Sequence, residues 1–314
     1  MHPFRFGLLI ERFPGSRYVL ETAKRAEDCG FSTFLIRDHF LDEPFGPQYA
    51  PFSTLAAVAA ATSTLKVGTL VIANDFRHPA VLAKEVATLD QLSNGRVELG
   101  IGAGFLREEY RRVGLQFDPN PVRVDRLAEV LPLLDLLLRG ERVTYQSQHY
   151  QVDAFVNFPP SVQQPRPRIL VGGAGPRMLS LAAGYADTVA LLPSRLHRGE
   201  MADPPEARSQ ENVKRQVQLV REAAPNRFDA LEFCLTGTFV KDADRNGAAL
   251  RVANQRGWSV PAEDVLRMPG VVVGDDDAMV DHLQQVRSET GVSYFVVRDS
   301  QLDAAAEVIQ RLTR

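Results

Sequence analysis

The 314-residue chain is poor in cysteine, has a single tryptophan and carries no marked excess of either charge. Two cysteines, Cys29 and Cys234, cannot build a disulfide framework, so a reducing cytoplasm is the expected location. With 36 Lys and Arg against 39 Asp and Glu, there is no electrostatic footprint for nucleic acid. Long apolar runs are missing as well. The start, Met1-His2-Pro3-Phe4-Arg5, has no signal-peptide core. The longest uncharged stretch, 44–65, holds three prolines and many hydroxyl residues, so no membrane span is expected. The chain also lacks a Gly-x-Ser-x-Gly elbow, a Walker loop, a His-Glu-x-x-His helix and a Cys-x-x-Cys pair. No metal site is expected: Asp275-Asp276-Asp277 reads as the capped, acidic first turn of a helix.

What is present is an alternation of short β-branched runs with longer amphipathic ones. Strands are predicted at 6–10, 33–37, 66–72, 96–101, 168–172, 188–192, 232–240 and 294–298. Helices are predicted at 17–29, 53–64, 80–92, 122–139, 176–184, 210–223, 245–255 and 302–312. Ser16 and Ser53 are the expected caps of the first two helices, and Gly30 a left-handed helix end. Pro132 should bend the fourth helix or mark its effective start. Eight strands in strict alternation with eight helices predict an α/β fold, a (β/α)₈ TIM barrel. The rival, an open doubly wound sheet, lacks its phosphate fingerprint, because Glu11-Arg12-Phe13-Pro14-Gly15 follows the first strand. We expect one domain over 1–314 with inserted segments near 140–167 and 194–208, both covering the site.

In such a barrel the site lies at the C-terminal ends of the strands. After the second strand come Arg37, Asp38, His39 and Phe40; the Asp–His pair could exchange protons or simply tie down the loop. After the third come Ala73 and Asn74, then His78-Pro79, which reads as helix initiation. After the fourth, Gly102, Ala103 and Gly104 either admit a flat ligand to the backbone or mark a bend. Arg107, Glu108 and Glu109 follow, on what reads as a solvated, charged face. After the fifth, Gly172, Gly173, Ala174, Gly175, Pro176 and Arg177 lead into an apolar helix. Free amide groups at a helix start attract anions, so we read this loop as a phosphate site with Arg177 pairing the phosphate. Cys29 and Cys234 read as buried small hydrophobes.

These residues carry a resemblance. It rests on Ala26-Glu27-Asp28-Cys29-Gly30-Phe31, on Arg37-Asp38-His39-Phe40, and on Lys66-Val67-Gly68-Thr69 leading to His78-Pro79-Ala80. It continues from Leu92-Ser93-Asn94-Gly95-Arg96 through Gly104, in Val122-Arg123-Val124-Asp125-Arg126-Leu127-Ala128-Glu129, and in Ile169-Leu170-Val171-Gly172-Gly173. The chain resembles the luciferase-like monooxygenase superfamily, and within it the coenzyme F420-dependent oxidoreductases. The resemblance implies a deazaflavin or flavin across the strand ends, with His39 and Asp38 at the reactive ring. It also implies a non-proline cis peptide at Leu70–Val71 against the ring, the 102–104 turn at the ring or ribityl chain, Gly173 to Arg177 on the phosphate, and a homodimer. One departure stands out. Sugar-phosphate dehydrogenases of this group carry a proton-donating glutamate where this chain has Phe105, which argues against a sugar phosphate and leaves the acid unassigned.

The expected function is hydride transfer between C5 of coenzyme F420 and a small organic substrate. His39 would be the acid/base or ring-contacting group, helped by Asp38, and Phe40, Phe76 and Phe105 would wall the pocket. The alternative is a two-component monooxygenase using reduced FMN and dioxygen. Arg195 and Arg198 suit the longer anionic tail of F420. A non-catalytic flavin-binding relative is the reading of another class, disfavoured by intact Asp38-His39 and glycine loops.

Overall fold

The computed structural model describes residues 2–192 and 202–313. The strands are β1 (Arg5–Leu9), β2 (Thr33–Ile36), β3 (Lys66–Thr69), β4 (Ile72–Ala73), β5 (Val97–Gly102), β6 (Arg142–Gln146), β7 (Gln151–Val156), β8 (Arg168–Gly173), β9 (Thr188–Leu191), β10 (Glu232–Thr236), β11 (Thr238–Lys241), β12 (Val271–Gly274) and β13 (Val292–Arg298). The helices are α1 (Ser16–Asp28), α2 (Pro51–Ala61), α3 (Pro79–Leu92), α4 (Arg107–Val113), α5 (Asn120–Leu138), α6 (Pro176–Tyr185), α7 (Gln210–Ala223), α8 (Arg245–Gln255), α9 (Ala262–Leu266), α10 (Asp276–Thr290) and α11 (Leu302–Thr313). No described helix is long and apolar enough to cross a membrane.

Nine strands run in the order β3-β2-β1-β13-β10-β9-β8-β5-β4, all parallel, and β3 also pairs with β5. That last pairing closes the ring: β3 and β4 are two halves of one strand position, so the result is the eight-position parallel barrel expected. The main core packs the helices against the barrel's outer face, while Leu9, Leu35, Leu170, Ala190, Cys234, Tyr294 and Val296 fill its inside.

Several expectations need correction. Strand 66–72 is not continuous: it breaks at Leu70–Val71, whose peptide bond is cis as the resemblance implied. Strand 232–240 is two elements, because Thr238–Lys241 leaves the barrel to pair with Val271–Gly274. Segment 140–167 contains an antiparallel hairpin, β6–β7. Ser16 and Ser53 are not caps: Gly15 and Ala50 hold those positions without side-chain bonds, and both serines lie inside the helices. Pro132 does not start α5, which begins at Asn120. Cys29 is only half-buried. Gly30 does end α1 with φ +84, and Asp275 does cap α10 by accepting from the Ala278 amide.

All eight strand positions contribute to a polar floor at their N-terminal ends. Arg5 bridges Glu232 at 2.6 Å and Glu98 at 3.0 Å. Thr188 donates to Glu232, Arg168 pairs with it, and Thr33 and Tyr294 donate to Glu98. Lys66 stands close enough to Glu98 for their charges to interact. Burial pushes the Glu98 carboxyl up, but Arg5 outweighs it and holds the group below the ordinary carboxylate range.

At the other end of α1, Glu27 accepts from the amides of Ser63, Thr64 and Leu65 and so fixes the entry into β3. Partial burial acts upward on its pKa, yet these donors press it from 4.5 to about 2.

Two outcomes follow. Glu98→Gln leaves the buried Arg5 short of one counter-charge and should cost about 3 kcal/mol in urea unfolding. A depressed folded pKa gives stability that is complete above the unfolded value and fades as acid approaches the folded one. Wild type should therefore exceed Glu27→Gln by about 1 kcal/mol at neutral pH, and the gap in melting temperature should close between pH 4.5 and about 2.

Candidate active site

The ladder pairing Ile36 with Thr69 sets the chain beyond β2 beside the chain beyond β3. Residues 37–40 and 70–74 therefore meet at one side of the mouth. Leu70 and Val71 pack on the apolar filling of the barrel and close it from above. Their position is imposed by three glycines. A Cβ at Gly100 would lie 2.0 Å from the Thr69 carbonyl oxygen, and one at Gly102 would lie 3.0 Å from a Val71 methyl. A Cβ on Gly172 would be 3.5 Å from Val71. Where the ladder breaks, the Thr69 hydroxyl donates to the Gly100 carbonyl at 2.8 Å and accepts from its amide at 2.9 Å.

His39 is held on several sides. Its Nδ1 lies 3.0 Å from both carboxylate oxygens of Glu109, which also accepts the Phe40 amide at 2.7 Å. The Phe45 ring stacks on the imidazole at 4.5 Å, and Phe105 meets it edge-on at 6.0 Å. Among the described residues no hydrogen-bond partner meets Nε2. An ionised Glu109 takes the Nδ1 proton, so neutral His39 presents a lone pair at Nε2 and protonated His39 presents an N–H there.

Two expectations change here. Asp38 is not the partner of His39. Its carboxylate forms a forked pair with Arg77, at 2.6 and 3.3 Å, and accepts the Ala73 amide at 3.4 Å. It fixes β4 relative to β2, and Arg77 in turn pairs with Glu85. Nor are the two glutamates alike. Glu108 is solvated, paired with Arg111 and Arg112, but Glu109 is 2% exposed. One signal was available: Glu109 adjoins Tyr110, the one aromatic residue of a short helix that is otherwise charged apart from Val113. Tyr110 is fully buried and donates to Asp75, which pairs with Arg126 of α5. That chain of contacts presses α4 onto the mouth and delivers Glu109 to His39.

Asn74 is buried and donates to the Tyr150 hydroxyl at 3.3 Å, so the β6–β7 hairpin does reach the site. His78 caps α3 as expected, accepting from the Ala80 amide. Phe40 and Phe76 stack 4.8 Å apart, with Phe40 half exposed. Gly104 adopts φ +71 and abuts the Tyr110 hydroxyl; Ala103 beside it is buried.

Across the mouth, α6 starts after Gly172, Gly173 and Ala174. Gly175 is its N-cap, and no side chain caps this end. A Cβ at Gly175 would meet nothing within 4 Å, so there is room beside this uncapped helix start. Gly173 has another reason to be glycine: a Cβ there would lie 2.7 Å from that of Met178. Arg177, after Pro176, does not stand free for a phosphate, since it pairs with Asp125 of α5. Arg195 and Arg198 lie outside the described residues. An uncapped helix start with room at Gly175, and an apolar ledge of Leu70 and Val71 beside an imidazole, together fit a planar ring with a phosphate-bearing tail.

A profile of the luciferase-like monooxygenase family matches residues 2–270. An F420-dependent glucose-6-phosphate dehydrogenase of Microbacterium testaceum is 35% identical over 193 residues, covering 59% of this chain and 55% of that protein. The enzyme of the same name from Beutenbergia cavernae is 28% identical over 322 residues, covering 92% and 89%. This chain spans about half the length of most of the curated relatives it matches. The coenzyme F420-dependent tetrahydromethanopterin reductase of Methanopyrus kandleri shares the fold, with a TM-score of 0.77, 21% identity and coverage of 99% of this chain and 100% of that one. The chain belongs to the luciferase-like monooxygenase family.

Proposed function

We propose that this protein is an oxidoreductase that transfers a hydride between coenzyme F420 and a small organic substrate. The observation that carries the reading is the His39–Glu109 pair, an oriented imidazole beside the Leu70–Val71 ledge whose Nε2 has no partner among the described residues. The F420-dependent relatives support the choice of cofactor. The free amides of α6, from Gly175 onward, would hold its phosphate, and Leu70, Val71 and Gly102 would lie against its ring. When bound, F420 supplies a two-electron hydride carrier at C5 of the deazaflavin.

Hydride movement at a substrate carbon has to be matched by one proton at a neighbouring atom. His39 Nε2 is the group positioned to accept or donate it, according to the direction of reaction. Glu109 holds the tautomer and the orientation of the ring. Phe45 and Phe105 keep water away from that nitrogen. Asp38 positions the ledge through Ala73 and Arg77 rather than acting on the imidazole.

Titration of the purified protein with F420 should show binding at micromolar concentration, and reduced FMN with dioxygen should give no substrate-dependent oxygen uptake. The reverse pattern would replace this reading with the flavin monooxygenase one. With a substrate found from a reduced-F420 panel, His39→Ala should lower kcat about 100-fold or more while F420 affinity changes little. Glu109→Gln should lower kcat about 10-fold. Undiminished turnover in His39→Ala would remove the proton-transfer role.

A further inference from the structure

The rim holds more positive charge than the site above uses. Arg37 follows β2 and precedes His39 by two residues. Its Nη2 pairs with Glu11 at 2.6 Å, and its guanidinium lies 4.5 Å from the Phe45 ring, the same ring that stacks on His39. Its Nη1 is buried and meets no acceptor among the described residues. A charged donor buried without an acceptor is costly, and a ligand, a water or an ion can complete it.

Asp299, which pairs with Arg12, adds negative charge near Arg37, but the other neighbours are richer in guanidinium than in carboxylate. Glu11 is shared with Arg298, the last residue of β13, at 3.3 Å. Arg298 also donates to the Thr238 hydroxyl oxygen, and Arg256 donates to that same oxygen at 2.9 Å. Two guanidinium groups thus converge on one neutral atom. Arg256 turns its other side to Asp203, which already holds Arg208. This run of contacts joins four guanidinium groups through two carboxylates. Burial disfavours the charge on Arg37 and Arg256, and Arg298 adds to that on both.

The run follows the ends of β2, β1, β13 and β10, which are consecutive in the ring. In an eight-position ring β1 lies opposite β8, the strand that leads to the start of α6. One side of the mouth therefore offers helix amides to an anion, and the other offers arginines. His39 stands on the arginine side.

We propose that Arg37, with Arg298 and Arg256, forms a subsite that receives a carboxylate group of the organic substrate and sets that substrate against His39. The proposal rests on the oxidoreductase reading for the word substrate, but the subsite can be tested without it. Arginine's planar fork matches a carboxylate in two parallel hydrogen bonds, and the unpartnered Nη1 supplies one of them.

Isothermal titration of the full chain with succinate, succinamide and inorganic phosphate, with and without F420, tests it. Succinate should bind at least tenfold tighter than succinamide and tighter than phosphate. Arg37→Met and Arg298→Met should each weaken succinate tenfold or more, Arg37→Lys less, and the surface variant Arg139→Met not at all. Melting curves identify any variant that has lost its fold, and Arg37→Lys then carries the comparison. Equal binding of succinate and succinamide, loss of the arginine dependence, or stronger phosphate binding would each overturn the carboxylate subsite.

The anionic tail of F420 is the other source of the same chemistry. Affinities for F420 and for the deazaflavin without its tail should be unchanged in Arg37→Met. A variant that loses F420 while keeping the tailless form would assign the arginines to the cofactor and overturn the proposal. Arginine-dependent succinate binding in a protein that never binds F420 would retain the subsite and discard the oxidoreductase reading. F420 binding without succinate binding would do the opposite.

Discussion

The contact on which the site depends is the approach of β3 to β5. No side chain fits at Gly100, because the Thr69 carbonyl occupies the space, and a Cβ at Gly68 would lie 2.5 Å from the Glu98 carbonyl oxygen. Two strands this close cannot continue a regular ladder. β3 stops, the Thr69 hydroxyl takes over the bonds to Gly100, and β4 resumes with Ile72 paired to Ile101. The residues between, Leu70 and Val71, are left on top of the barrel filling. From there the Ala73 amide reaches Asp38, and Asp38 reaches Arg77. The chain carrying His39 is thereby held beside the ledge.

Charge is treated differently at the two ends of the barrel. At the floor, Glu98 and Glu232 are almost fully buried, and every hydrogen bond they make is answered by Arg5, Arg168 or a hydroxyl group. Buried charge is tolerated when it is paired in this way. At the rim the Arg37 guanidinium is left with a buried donor unanswered. The floor keeps an orphan too, the buried Arg168 Nε, but two carboxylates, Glu98 and Glu232, pair with that guanidinium, whereas Arg37 at the rim shares its paired carboxylate, Glu11, with Arg298.

The repeat of strand and helix was legible because hydrophobic period is a local property. Six of the eight predicted strands fall on single barrel strands with ends shifted by a residue or two. The two misread segments share one physical cause. Lys66 to Ala73 and Glu232 to Val240 read as unbroken apolar runs, but each is interrupted by something distant: the first by Gly100, the second by the pairing of Phe239 with Val272. The floor was invisible for the same reason. Arg5, Glu98 and Glu232 are unremarkable polar residues until closure of the ring brings both carboxylates onto Arg5, at 3.0 and 2.6 Å. The rim showed the opposite bias. His39 was readable because its neighbours in sequence are polar residues after an apolar strand, and that same adjacency wrongly suggested Asp38 as its partner. The true partner lies 70 residues away.

The exchange of Asp38 for Glu109 alters what the imidazole can do. A side chain adjacent in sequence points to the other side of an extended segment, so Asp38 and His39 diverge and serve different neighbours. Glu109 comes from α4, pressed inward by Tyr110 and Asp75, and meets Nδ1 from behind. Nε2 is then left for the substrate. Where some relatives place a glutamate, this chain has Phe105, edge-on to the ring. An aromatic edge cannot donate a proton, but it lowers the polarity around the imidazole and limits its access to water. In the reaction proposed above, the carboxylate of this site would act through histidine, and His39 would carry the proton.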